Sequence, residues 1–159
     1  MSFDDWILAL HVLSAVAYVA GMVVFWVLVY AVRRTDTPDG TIRMAPVVKV
    51  GTIGTGVGAV GTIVFGLWLT FSVGGHRIWD FWIIAALVLW AVAGGLGGRT
   101  GKAYMEGMTK AQELESAGQT GPNAELLALN RTQQGLLLHT AGSVAVLLLL
   151  IDMIWKPGA

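Results

Sequence analysis

The sequence predicts an all-α protein, a transmembrane four-helix bundle with both termini outside, and three observations predict it. Hydrophobic residues make up 55% of the 159-residue chain and charged residues 13%, and the mean hydropathy of +0.69 is well above that of soluble domains. Four apolar runs are each long enough to cross roughly 30 Å of hydrocarbon, which takes about 20 helical residues. The basic residues also divide unevenly. Arg33, Arg34, Arg43, Lys49, Arg99, Lys102, Lys110 and Arg131 fall on one side of a four-span arrangement, with Arg77 and Lys156 on the other. Lysine and arginine collect on the cytoplasmic side of short loops, so this asymmetry sets the orientation.

The first span is expected near residues 5–32. The preceding MSFDDW has no basic region, and no small-residue cleavage site follows the apolar run, so the run reads as a retained helix and not as a signal peptide. At 100° per residue, His11, Ser14, Ala15, Tyr18, Met22, Phe25 and Val29 share a stripe, while Ile7, Trp26 and Leu28 point elsewhere. A stripe that mixes small, polar and aromatic groups suits a bundle interior or a flat ligand better than lipid.

The linker RRTDTPDGTIRMAP carries the turn and stop signals Pro38, Asp39, Gly40 and Pro46. The second span, near residues 48–72, places Gly51, Gly54, Gly58 and Gly61 along one face. Small residues at such spacing let helix backbones approach closely, within a bundle or across a homodimer. The missing side chains could equally leave room for a planar cofactor.

A short loop, SVGGHRIWD, leads to the third span near residues 80–98, which ends in Gly94, Gly95, Gly97 and Gly98. The cytoplasmic loop, about 99–133, opens with good helix formers from Lys102 to Ala117 that extend the third helix into water. Gly118 to Pro122 is expected to end that helix, and Asn123 to cap the fourth span, near 134–155. Trp6, Trp79, Trp82 and Trp155 form an aromatic belt at the outer face. The whole chain, 1–159, reads as a single membrane domain.

Several chemistries lack their residues. The formal net charge is zero and there is no cysteine, which removes a nucleic-acid partner as an expectation and removes disulfides, thiolate metal sites, iron–sulfur clusters and covalent c-type haem. Apart from Lys49 at the edge of span two, the apolar spans hold no lysine or arginine for a charge-paired proton relay. No serine, histidine and acid fall into one hydrolytic site, and the glycines of span two lack the strand and lysine of a phosphate loop.

Three histidines remain: His11 in span one, His76 in the outer loop and His139 in span four. Each has a plain reading as a hydrogen-bond donor to a neighbouring helix, and His76 as a surface residue. A b-type haem accounts for them more economically, since imidazole is its usual axial ligand and an apolar cleft between helices its usual setting. His11 and His139 are then the candidate metal ligands. They are expected to lie on the order of 15 Å apart along the membrane normal, so His11 pairs more easily with His76. Gly135 and Gly142 flank His139 and clear space for a porphyrin edge, with Met22 at a similar depth. Tyr18, Ser14 and the span-two glycines, Gly58 among them, would edge the macrocycle, and Arg77 could pair a propionate. The glycine face and small size also suggest a homodimer.

The run W-x-x-x-L-H-V-L-S-A-V-A-Y-V-A-G, Trp6 to Gly21, with Tyr30 beyond it, resembles the first helix of small bacterial HemJ-type membrane proteins and their CopD-like and uncharacterised relatives. The resemblance is clear over roughly the first 30 residues and looser beyond them, where it rests on span order. It implies a helical bundle in the bacterial inner (plasma) membrane that binds b-type haem through His11. It also implies oxidation of protoporphyrinogen in the HemJ-type case, or copper handling in the CopD-like case. This chain has Trp26 and Val27 where HemJ-type proteins carry a Pro-Arg pair, and GGHRIWDFW without their lysine early in helix three. A redox or electron-transfer haem protein is therefore the leading expectation. The enzyme and a non-haem copper or structural module are the alternatives.

Overall fold

The computed structural model describes residues 2–72 and 77–157. Six helices appear in them: α1 (Phe3–Val32), α2 (Pro38–Ile42), α3 (Ala45–Ser72), α4 (Phe81–Ser116), α5 (Ala124–Asn130) and α6 (Gln133–Trp155). The protein is an all-α, four-span bundle: α1, α3, α4 and α6 supply helices long and apolar enough to cross a membrane. The described residues contain no strand.

Local chemistry sets the ends. Ser2 and Asp5 form a capping box at the start of α1: the Ser2 hydroxyl accepts from the Asp5 amide at 3.2 Å and the Asp5 carboxylate accepts from the Ser2 amide at 2.6 Å. The linker after α1 is not all turn, because Pro38, at the first helical position, starts the single turn of α2. Pro46 likewise falls in the first turn of α3, where its missing N–H costs nothing. At 1.5 Å per residue α4 is about 54 Å long, well beyond the roughly 30 Å that a hydrocarbon core requires. Gly118, at φ +72°, ends it: Gly118 and Gln119 donate to Glu115 and Leu114, closing the last carbonyls in a Schellman motif. Asn123 caps the short α5 by accepting from Leu126 at 3.0 Å, while Thr132 caps α6 itself. The fourth span therefore has its own cap nine residues after the expected one.

The spans form two close pairs, α1 with α3 and α4 with α6, and α1 meets α6 only briefly. Glycine explains the first pair. A Cβ on Gly58 would run into the Tyr18 backbone, one on Gly61 into the Ser14 side chain, and one on Gly21 into Thr55. The span-two glycines thus serve close backbone contact within the chain, the force available to helices surrounded by lipid. Tyr18, Ala93, Ala145 and Val146 form a buried cluster that joins the pairs, with Val19, Met22 and Ala59 against it. Two tryptophans tie the pairs by hydrogen bonds: Trp90 Nε1 donates to the Ala59 carbonyl at 3.1 Å, and Trp26 Nε1 donates to Ser143 Oγ at 2.9 Å. Ile7 and Leu28, off the projected stripe of α1, are buried too, because neighbours flank that helix on more than one side.

At the loop end the bundle is sealed. Leu126 and Ala111 are fully buried with Leu114, covered by Ile42 of α2. Asn130 is buried beside them, donating to the Thr35 carbonyl at 2.9 Å and to Thr41 Oγ1 at 3.0 Å. Arg33 donates to the Thr132 carbonyl and Arg131 to the Arg33 carbonyl, pinning the start of α6 to the end of α1. The opposite end holds the start of α1 and the end of α6.

Candidate functional site

Between the two helix pairs, on the terminal side of the Tyr18 cluster, lies a cavity of about 1120 Å³ lined by all four spans. Protein interiors are close-packed, and voids larger than a water molecule are few. The space is a cleft open on one side, with Val12, Val16 and Ile154 exposed along it, and its size suits a ligand of cofactor dimensions. Its walls are Val12, Val16, Leu67, Ile83, Leu87, Leu149 and similar side chains, with Trp90 lining it from α4.

Among the described residues one imidazole belongs to that wall. His11 is half-buried, and its Nδ1 lies 3.0 Å from the Thr62 carbonyl oxygen. A carbonyl only accepts, so the proton sits on Nδ1 and the basic lone pair on Nε2. The same carbonyl contact orients the ring, as outer-sphere acceptors do for ligating histidines. Its Cε1–Nδ1 edge abuts Gly66, where a Cβ would stand 2.9 Å from His11 Cε1. The Thr62 and Thr70 hydroxyls, also on the wall, donate back to the carbonyls of Gly58 and Gly66 one turn earlier. They satisfy themselves on their own helix. His11 therefore faces a wall otherwise poor in free polar groups.

The other expected site residues lie elsewhere. Tyr18 and Met22 belong to the cluster beneath the cavity, and the Ser14 hydroxyl donates to the Leu10 carbonyl at 2.7 Å against α3. Gly58 is covered by Tyr18; Gly135 lies under the Tyr104 ring, and Gly142 faces Leu96. These glycines admit neighbouring helices. Arg77 is exposed in the loop before α4, its amide donating to Asp80 at 2.9 Å, and does not line the cavity. His76 lies outside the described residues. His139 is buried between α1 and α6, its ring 4.6 Å from that of Trp26 and 6.4 Å from that of Phe25. Its Nε2 has no hydrogen-bond partner among the described residues. Trp26 follows His11 by 15 positions on α1, about 22 Å of helix, so the two histidines serve different depths.

Residues absent from the sequence-based site include Gly66, Trp90, Trp82 and Lys156. Trp6, Trp79 and Trp155 are exposed as a belt requires, but Trp82 turns inward and lines the cavity. A sequence signal for the α3 wall existed in the four-residue spacing Gly58, Thr62, Gly66, Thr70, which puts small residues on one stripe. Among the described residues no three histidine, cysteine or acidic side chains gather as a metal-binding group. Comparison of the chain with protein-family models, curated proteins and solved structures gives no match.

Proposed function

We propose that this protein binds a b-type haem in the cavity between its helix pairs, with His11 as an axial ligand, and works in one-electron redox or electron transfer in the plasma membrane. The observation that carries the reading is the His11 imidazole, tautomer set by the Thr62 carbonyl, on the wall of an apolar space of about 1120 Å³. A porphyrin brings four nitrogen ligands and asks the chain for as little as one imidazole, which suits a chain whose described residues gather no three-ligand cluster. The resemblance of helix one to HemJ-type proteins points to the same residue. When bound, the iron porphyrin supplies the redox chemistry. The chain's own part is to hold Nε2 basic, exclude water with aliphatic walls and fix the ring against Gly66.

The basic loops, eight lysines and arginines against two, support an orientation with both termini outside. A second copy of the chain is the proposed partner. Gly94, Gly95, Gly97, Gly98 and Gly101 of α4 have nothing within 4 Å of a built Cβ, a run of small residues on the bundle exterior that would admit another helix.

The test is the absorption spectrum of protein purified from cells supplied with haem. A Soret band that disappears in His11→Ala and persists in His139→Ala supports the assignment. A colourless folded protein, or a band indifferent to His11, removes it.

A further inference from the structure

We propose that Lys156 anchors an acidic group of the cavity's occupant, a porphyrin propionate on the haem reading, upon which this inference rests. Among the described residues three charged side chains line the cavity: Asp4, Asp5 and Lys156. They gather at its mouth, in the first turn of α1 and just past the end of α6. The Asp5 carboxylate is committed to the capping box with Ser2, and Asp4 shares the same first turn, where helix-dipole attraction favours a negative charge. Lys156 makes no ion pair with a carboxylate among the described residues. Its Nζ lies instead 5.3 Å from the centre of the Trp82 ring, on the cavity wall. A cation held over an aromatic face keeps its charge and its donors and can exchange that contact for an anion.

The backbone at this position is also unusual. Lys156 is the non-glycine residue with a positive φ among those described, 42°, a conformation that glycine or asparagine adopts more cheaply. Its amide closes α6 by donating to the Asp152 carbonyl at 2.8 Å. Helix ending accounts for the backbone, and the Trp82 ring holds the ammonium at the cavity wall. His11 lies eight residues along α1 from its start, about 12 Å below the mouth. An amphiphile bound by Nε2 at that depth, with its acidic groups turned outward, would meet the cavity's cation at the rim. Arg77, the other basic residue of this end, does not line the cavity.

Asparagine at 156 tolerates the left-handed backbone and removes the charge, and arginine retains it. Ferric haem and its dimethyl ester, which has neutral side groups, would each be titrated into haem-free protein in zwitterionic detergent and followed by Soret absorbance. Lys156→Asn should weaken haem binding about tenfold, the size expected of a charged hydrogen bond. It should leave the diester affinity unchanged, and Lys156→Arg should bind both forms like the parent. Equal weakening of both forms would mark a helix-ending role only and overturn the proposal, as would no weakening of either. A parent protein that takes up neither form would fail earlier, at the haem reading itself, and the two failures are therefore distinct.

Discussion

The imidazole of His11 rests against Gly66 with no room for a side chain between them: a Cβ on Gly66 would stand 2.9 Å from Cε1 and 3.2 Å from Nδ1. One helix supplies the nitrogen, and its neighbour supplies both the carbonyl that orients it and the flat surface that supports it. Position 66 is thus as much a part of the site as position 11.

Gly66→Ala should displace the ring and break its bond to the Thr62 carbonyl without removing the proposed ligand. The overpacking cost is about 1–3 kcal/mol, shared between stability and site geometry. The expected outcome is weakened haem uptake with a shifted Soret maximum, in a protein that still inserts and purifies. A Gly66→Ala protein with a parental spectrum and affinity would count against the ring position described above.

His139 invites the opposite substitution. It is buried against Phe25 and Trp26, with Nε2 lacking a partner among the described residues. A buried polar atom without a partner costs about 1–3 kcal/mol, so an apolar ring of similar shape should be neutral or stabilising. His139→Phe is expected to hold or raise the thermal midpoint in detergent and to leave a His11-dependent Soret band in place. A lowered midpoint would mean that Nε2 has a partner after all, bound water or ligand.

The loop end should be the sensitive one for folding. Asn130→Ala removes the donors to Thr35 and Thr41 at a fully closed position and leaves their oxygens unanswered, for a loss of about 2–3 kcal/mol. Protease should then cut faster between α4 and α5, around residues 117–123, while the spectrum of bound haem stays unaltered, because Asn130 is remote from the cavity. Faster cutting with a simultaneous loss of haem would show the two ends to be coupled.

Hydropathy and charge alone carried the class of fold, the number of spans and the side on which basic residues gather. Each depends on local composition and on the length of hydrocarbon to be crossed, and both can be read from a one-dimensional string. The continuation of helix past Lys102 and the glycine stop at Gly118 were legible from local composition as well. The division of labour among the glycines and aromatics was not. Gly58 and Gly66 sit eight residues apart on the same helix and look alike in sequence; Gly58 abuts the Tyr18 backbone and Gly66 the His11 ring. Trp82 and Trp79 share a membrane edge, yet one lines the cavity and the other is exposed. Which pairs of helices closed and which stood apart was decided by tertiary packing, because close approach is a property of two surfaces together. That separation left a cavity in front of His11 and put His139 about 22 Å further along α1, against other rings.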